Sequence, residues 1–286
     1  MKTLLCATDF SDNSVAAVKM ANNLRKTLNA ELYVVHVFDL SATFISTVSI
    51  AYARMEEAAF RDKHARLLEF CMEHLGRDAQ TDRVKFLVQE NSIASHGILA
   101  EAEEIDPDLI LVGTMGSSAV RELFLGSTTS ALIEKSKYPV LSIPPGFKSP
   151  DINTIVYATA FEEADILAIQ RIVDLAKFFK AEIKLVHVST KDEYAGEEQL
   201  QWFREMVREK VDFENLSFDL KFSDDVVAML HEYLAEVKPQ ILIMLEREGH
   251  SLISNLWHRD LVKRMKLEID IPLMSFHKKH LMHSEV

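Results

Sequence analysis

The chain contains an internal repeat, and this repeat limits how the chain can fold more than any other feature. Residues 6–21 (CATDFSDNSVAAVKMA) align with residues 157–172 (YATAFEEADILAIQRI). Later segments align in the same order: 34–39 with 185–190, 107–113 with 239–245, and 138–144 with 270–276. Proline and glycine in the segment 144–151 (PPGFKSPD) mark a turn between the halves. We therefore expect one domain over residues 1–148 and a second over residues 149–286, each of ordinary domain length.

In each half, short apolar runs alternate with amphipathic stretches. The predicted strands lie at 2–8, 32–38, 83–89, 108–113 and 139–143, then at 153–159, 182–188, 216–221, 240–245 and 271–276. The predicted helices lie at 12–28, 52–75, 92–105 and 127–136, then at 162–180, 196–211, 224–237 and 255–267. This alternation implies right-handed crossovers and a parallel sheet covered on both faces. The predicted fold class is α/β, with two tandem doubly wound domains that each contain a five-stranded parallel sheet.

Three of the eight glycines in the chain, Gly113, Gly116 and Gly126, lie close together after a predicted strand. Gly126 precedes a hydroxyl-rich helix start, residues 127–130 (STTS). Glycine permits positive φ and close backbone approach, and a helix N-terminus offers free N–H groups. The pattern predicts a nest for an anion, with phosphate as the expected anion. The spacing, G-x2-G-x9-G-S, matches neither a P-loop nor a dinucleotide G-x-G-x-x-G fingerprint.

Other segments accompany the glycines in a fixed order. The first predicted strand ends in Thr8-Asp9-Phe10-Ser11, residues 32–37 read LYVVHV, and residues 138–144 read YPVLSIP. Together these segments resemble the ATP-binding branch of the universal stress protein family. The resemblance implies an adenine nucleotide alpha hydrolase-like fold. It also implies an intramolecular pseudo-dimer of the two domains, with a homodimer as a further expectation, because single-domain members usually pair through their last strands.

The resemblance also implies a role for each residue of the motif. The phosphates would be held by Gly116, Gly126, Ser127 and Thr128, with Thr129 as a weaker candidate. The ribose would lie nearer Val112 and Gly113. The adenine would be framed by the backbone of Ala7, Thr8 and Val37, although the family commonly has proline where Ala7 stands. Mg²⁺ would accompany ATP, held mainly by the nucleotide itself.

Asp9 has two interpretations. It could cap the helix predicted from residue 12, a role for which Ser11 competes. It could instead line the nucleotide pocket, as the aspartate of the family does at this place. The repeat favours the pocket slightly, because the equivalent residue of the second half is Ala160 and a cap alone should have been kept.

The second half lacks the chemistry of the glycine motif. Leu245 stands where the first half has Gly113, Glu248 or Gly249 aligns with Gly116, and His258 or Arg259 aligns with Gly126. Such side chains would block the backbone approach or repel phosphate, so we expect a degenerate second domain. A small apolar ligand is an alternative there, since Leu245, Leu252, Ile253 and Trp257 could line a pocket, although core packing also explains them.

Composition excludes several classes of protein. The formal net charge is −12, and acidic residues outnumber basic ones in both halves, which disfavours binding to nucleic acid or anionic lipid. There is no apolar run of membrane-spanning length and no signal-peptide pattern. The two cysteines, Cys6 and Cys71, form no disulfide framework, so we expect a reducing, cytoplasmic location.

No catalytic motif stands out in the chain. His36 and His187 occupy equivalent strand positions, which favours a structural role hydrogen-bonded near the end of the sheet. His277, His280 and His283 could bind a metal on a helix, but a loose C-terminal tail is the stronger expectation. The carboxylates of residues 101–108 suggest a solvated face. The uncharged run 41–51 could cover the pocket or an interface.

The resemblance therefore implies an ATP-binding universal stress protein that acts as a nucleotide-responsive regulator through an unidentified protein partner. Hydrolysis should be slow or absent, because no base or cation is evident beyond Arg121 and Lys135. The rival from another class is a scaffold protein that binds partners without nucleotide. A third interpretation is a true ATP-consuming enzyme.

Overall fold

The computed structural model describes residues 1–40, 50–114, 126–148, 151–191, 196–246 and 270–282. The chain divides into two compact units. Unit 1 comprises Met1–Leu132 and Val140–Ser149, and unit 2 comprises Ile133–Pro139 and Pro150–Val286. The boundary between residues 148 and 149 stays a prediction.

The elements up to residue 148 alternate between strand and helix. They are β1 (Thr3–Ala7), α1 (Asp12–Leu28), β2 (Glu31–Phe38), α2 (Ile50–Leu75), a 3₁₀ helix (Gly76–Gln80), β3 (Val84–Glu90), α3 (Ala94–Ile105), β4 (Leu109–Gly113), α4 (Ser127–Lys135) and β5 (Val140–Ile143). The strands of unit 1 are parallel and run in the order β3-β2-β1-β4-β5. The direction of winding therefore reverses between β1 and β4, which makes a switch point there.

Unit 2 repeats this order. Its elements are β6 (Thr154–Ala158), α5 (Glu163–Phe179), β7 (Glu182–Ser189), α6 (Gly196–Lys210), β8 (Leu216–Phe222), α7 (Val226–Val237), β9 (Ile241–Glu246), β10 (Leu273–His277) and α8 (Lys278–Met282). The strands are again parallel, in the order β8-β7-β6-β9-β10. The predicted α/β class with two parallel-sheet units is confirmed. The helix predicted at 255–267 lies outside the described residues.

Both sheets are covered on two faces, which explains the apolar runs. Leu4, Leu5 and Cys6 of β1 are fully buried, as are Leu109 to Leu111 of β4. In β2 the faces alternate: Phe38 packs edge-on against Phe60 of α2, whereas Val37 contacts α3. Fully apolar strands are typical of a sheet buried on both sides.

The repeat also appears in how the strands begin. The Asp108 carboxylate accepts hydrogen bonds from the backbone N–H groups of Lys2 and Thr3, at 2.5 and 2.9 Å. In unit 2 the Gln240 side-chain oxygen accepts from the N–H groups of Asn153 and Thr154, at 2.8 and 2.9 Å. The same contact is thus made by different side chains at the amino ends of the two sheets.

One expectation about the C-terminus is wrong. The segment after β10 is not a loose tail over residues 278–282, because these residues form the short helix α8. Lys278 anchors it through an ion pair with Glu162, at 2.6 Å, and Leu281 is buried. In the described ranges, no helix is long and apolar enough to cross a membrane.

Candidate functional site

The candidate site lies at the carboxyl ends of β1, β2 and β4 in unit 1. Cys6 pairs with Leu111 across β1 and β4, so two residues further on Thr8 stands level with Gly113. Ala7 pairs with Val35, so Asp9 stands level with Val37. The sheet therefore brings together the predicted site residues of three separate segments. This is the edge at which doubly wound sheets bind ligands.

The loop after β1 is shaped by Thr8. The Thr8 hydroxyl lies 2.8 Å from the Ser14 hydroxyl and accepts a hydrogen bond from the N–H group of Phe10, at 3.1 Å. Phe10 has φ of +64°, a left-handed conformation that phenylalanine rarely adopts. The hydrogen bonds of the Thr8 hydroxyl with Ser14 and with the Phe10 N–H group hold the loop in this conformation.

Asp9 is exposed at the tip of this loop. Its Oδ1 accepts hydrogen bonds from the backbone N–H group and the hydroxyl of Ser11, at 3.1 and 2.5 Å. Ser11, not Asp9, occupies the N-cap position of α1, and its side chain makes no capping hydrogen bond. Asp9 therefore does not occupy the N-cap position of α1, which belongs to Ser11. The Asp9 carboxylate lies instead at the carboxyl edge of the sheet. Its role in a pocket stays a prediction.

His36 braces the loop from the neighbouring strand. Its Nδ1 lies 2.9 Å from the carbonyl oxygen of Thr8, and its ring stacks on Phe10 at 3.9 Å. Burial lowers the pKa of His36; the hydrogen bond to Thr8 and the charge of Asp9 oppose this shift, while Lys63 and Arg66 add to it. The Arg66 guanidinium covers Phe10 at 4.6 Å from the ring centroid. These contacts agree with the structural role predicted for His36.

The start of α4 is fixed to the end of β4. The Thr129 hydroxyl donates to the carbonyl oxygen of Gly113, at 2.7 Å. The N–H group of Gly126 donates to the carbonyl oxygen of Thr114, at 2.8 Å, and the N–H group of Ser130 donates back to Gly126, at 3.0 Å. Gly126 therefore precedes the helix directly, and its N–H group is engaged within the protein.

The backbone donors that an anion at this edge would meet are consequently those of the first helical turn. The first N–H groups of an α-helix have no acceptor inside the helix. In α4 these belong to Ser127, which is exposed, Thr128, which is half-buried, and Thr129, which is buried. Gly116 and Arg121 lie outside the described residues, and the phosphate role of Gly116 stays a prediction.

Sequence reasoning missed Gly97, a buried glycine inside α3 that lies against Val37. The available signal was a glycine within a helical pattern, which usually marks a close packing contact. The same reasoning missed the bond between Ser14 and Thr8, which no motif suggested.

Unit 2 has the same loop contacts at the carboxyl ends of its strands, but different side chains stand at the positions of the predicted site. His187 Nδ1 lies 2.8 Å from the carbonyl oxygen of Thr159, and its ring packs on Phe161, which has φ of +58°. Leu245, at the place of Gly113, is buried. The other residues proposed to line an apolar pocket, Leu252, Ile253 and Trp257, lie outside the described residues, as do Glu248 and Arg259.

A buried carboxylate closes the loop of unit 2. Asp165 is fully buried and accepts hydrogen bonds from the hydroxyls of Tyr157 and Thr159, both at 2.8 Å. It also accepts from the N–H groups of Ala160 and Glu162, at 2.9 and 3.0 Å. The strand-end loop of unit 2 thus has an internal anion.

The remaining candidates belong to other elements of the two units. Among the described residues, no group of three His, Cys, Asp or Glu side chains could hold a metal ion. His277 ends β10 and is buried, with its ring 5.0 Å from that of His280 in α8. His283 and residues 41–49 of the uncharged run lie outside the described residues. On α3, burial raises the pKa of Glu101, with a contribution from Glu104.

Comparison with solved structures identifies the fold. A universal stress protein from Archaeoglobus fulgidus aligns with 96% of this chain and 98% of its own, at a TM-score of 0.71 and 17% sequence identity. A universal stress protein from Pseudomonas aeruginosa covers 99% of this chain and 96% of its own, at a TM-score of 0.65 and 11% identity. The class is therefore that of doubly wound α/β proteins built from two such units.

Sequence comparison identifies the family. The model of the universal stress protein family matches residues 1–144. Universal stress protein YxiE of Bacillus subtilis is 31% identical over 149 residues, which cover 49% of this chain and 97% of the relative. Universal stress protein MJ0531 of Methanocaldococcus jannaschii is 26% identical over 144 residues, or 50% and 81% of the two chains. The chain belongs to the universal stress protein family.

Proposed function

We propose that unit 1 binds ATP as its magnesium complex at the carboxyl ends of β1 and β4. Occupancy of this site changes the binding of a protein partner in a stress response. The observation that carries the proposal is the hydrogen bond from the Thr129 hydroxyl to the Gly113 carbonyl, at 2.7 Å. It holds the first turn of α4 at the end of β4, where its N–H groups can meet phosphate.

Backbone donors suit a nucleotide on an acidic protein. A helix N-terminus carries a partial positive charge, so phosphate can bind without a cluster of lysine or arginine. The exposed Asp9 carboxylate, level with Val37 across the sheet, is suited to accept hydrogen bonds from ribose hydroxyls. With no cluster of three metal-ligating side chains in the described ranges, the Mg²⁺ would be held mainly by phosphate oxygens.

The proposed site supports binding better than hydrolysis. Lys135 ends α4, about 12 Å along the helix from Ser127, so its side chain starts far from the first turn. His36 is buried and bonded to Thr8, which leaves it poorly placed to act as a base. We therefore expect slow turnover or none, and a regulatory role.

Unit 2 is proposed to bind no nucleotide. Leu245 fills the position that glycine has in unit 1, and Asp165 already supplies an anion to the N–H groups of the loop. A phosphate or a second carboxylate there would meet a buried negative charge, which is unfavourable.

A charge substitution with a matched control tests the proposal. Ser127→Glu adds a negative charge at the exposed first turn of α4, where it should stabilise the helix but repel phosphate. Gln80→Glu adds the same charge on an exposed residue before β3, at the opposite edge of the sheet. We expect Ser127→Glu to weaken MgATP binding by at least ~10-fold, or about 1.4 kcal/mol, and Gln80→Glu to leave it unchanged. Equal MgATP affinity in the two variants would contradict the proposal that the phosphates bind at the first turn of α4.

A further inference from the structure

Gly97 lies where the structure leaves no room for a side chain. It lies in the first turns of α3 and is buried. A Cβ atom at this position would stand 2.7 and 3.0 Å from the two methyl carbons of Val37, and 3.1 Å from Cβ of Asn91. Glycine inside a helix costs about 1 kcal/mol relative to alanine. Since Gly97 is not in the left-handed region, space and not backbone conformation explains the glycine.

The residue that Gly97 contacts belongs to the candidate site. Val37 is half-buried near the carboxyl end of β2, level with Asp9. Its neighbours in the strand, His36 and Phe38, contact Phe10 and Phe60 on the opposite face. The Val37 methyl groups therefore occupy the space beside Gly97 on the α3 side of the sheet. This contact lies near the carboxyl end of β2.

We propose that Gly97 is a positioning residue that sets Val37 against the flat, apolar face of a purine base. This inference rests on the proposed nucleotide function and extends it, because it names a residue that governs the base and not the phosphates. A Cβ at position 97 must displace the Val37 methyl groups or move α3 away. Either change alters the base-binding surface and leaves the first turn of α4 in place.

The test compares Gly97→Ala with the wild type in calorimetric titrations of the full chain. The probes are MgATP, which has a base, and inorganic tripolyphosphate, which has none. We expect Gly97→Ala to weaken MgATP binding by about tenfold or more and to change tripolyphosphate binding by less than twofold. The single variant Val37→Ala removes the methyl groups that are proposed to meet the base, so it should also weaken MgATP binding and leave tripolyphosphate binding unchanged.

The outcomes are distinct. Wild-type affinity for MgATP in Gly97→Ala would overturn the inference and leave the proposed function intact. A parallel loss of both probes would also overturn it, because it would mean a general disturbance of the unit. Wild-type affinity for MgATP in Val37→Ala would overturn the role of Val37. A wild-type chain that binds no MgATP would overturn both the inference and the proposed function.

Discussion

Ser14 and Asp165 stand at equivalent positions of the repeat, and each contacts the threonine that follows the first strand of its unit. The Ser14 hydroxyl lies 2.8 Å from that of Thr8, and the Asp165 carboxylate accepts from the hydroxyl of Thr159 at the same distance. Unit 1 therefore holds its loop with a neutral hydroxyl and displays a carboxylate on Asp9. Unit 2 holds its loop with a buried carboxylate and has Ala160 where Asp9 would be.

Replacing the buried carboxylate should destabilise unit 2. Asp165→Asn keeps the size of the side chain and can still accept from the two backbone N–H groups, which share one carboxylate oxygen, but it removes the charge and turns an NH2 group toward the Tyr157 hydroxyl. We expect a loss of about 3 kcal/mol, because hydrogen bonds to a buried charged acceptor are strong. Urea unfolding followed by tryptophan fluorescence measures this loss, since both tryptophans, Trp202 and Trp257, belong to unit 2.

The matched control is Ser14→Ala in unit 1, which removes two neutral hydrogen bonds, to the Thr8 hydroxyl and to the Ser11 carbonyl oxygen, and should cost about 1–2 kcal/mol without changing the tryptophan transition. An Asp165→Asn transition within about 0.5 kcal/mol of the wild type would mean that the carboxylate contributes little to the loop.

Thr129 should matter through its hydroxyl alone. Thr129→Val keeps the shape of the side chain and removes the donor to the Gly113 carbonyl. It should cost about 1 kcal/mol of stability and weaken MgATP binding, because the start of α4 is no longer tied to β4. Thr129→Ser keeps the donor and should bind as the wild type does in the same titration. Weakening in Thr129→Ser together with wild-type binding in Thr129→Val would show that the methyl group, not the hydroxyl, is what matters.

The thiols should report the opening of unit 1. Cys6 and Cys71 are fully buried, and burial raises the pKa of Cys71 to about 12 and that of Cys6 further. Reaction with a disulfide reagent at pH 8 should therefore require opening of the unit, since only thiolate reacts. MgATP at 100 times its Kd should slow the reaction by about 100-fold through stabilisation of the closed form.

The control for this experiment is the Ser127→Glu variant, in which the same MgATP concentration should slow the reaction by only about tenfold or less. Rapid reaction of both thiols in the native protein would contradict the burial of β1. Labelling that MgATP does not slow would contradict nucleotide binding in unit 1.

His36 should make unit 1 less stable in acid. Its pKa in the folded state is lowered, chiefly by burial, so folding favours the neutral ring. The contribution is fully present above the unfolded pKa, about 6.5, and is lost as the pH falls through that value toward the folded pKa. The wild type should therefore lose more stability than His36→Gln between pH 7.5 and 5.5, as judged by thiol labelling. An NMR titration that gives His36 a pKa at or above 6.5 would contradict this account.

The sequence was sufficient for the fold because the repeat and the apolar strands act together. Within the predicted strands 108–113 and 240–245, residues 109–113 and 241–245 are apolar throughout, which fits burial on both faces, and the observed strands begin at these residues. The C-terminal helix was missed because five residues carry too little periodicity. Its stability comes from contacts distant in the sequence, such as the ion pair between Lys278 and Glu162.

The candidate site was less accessible to sequence reasoning. Asp9, Val37 and Gly113 could be placed at one edge because parallel strands share their carboxyl ends. The packing of Gly97 against Val37 depends on how closely α3 approaches the sheet, which no local pattern encodes. The bond between Gly126 and Thr114 likewise depends on the path of the connection between β4 and α4.

The central claim is that one nucleotide site exists per chain and that it lies in unit 1. Isothermal titration calorimetry of the full chain with MgATP tests it most directly, beside the Gly126→Arg variant, which places at the helix start a residue found in the degenerate half. We predict one site per chain in the wild type and none in the variant. Two sites per chain, or no binding at millimolar MgATP, would contradict the account.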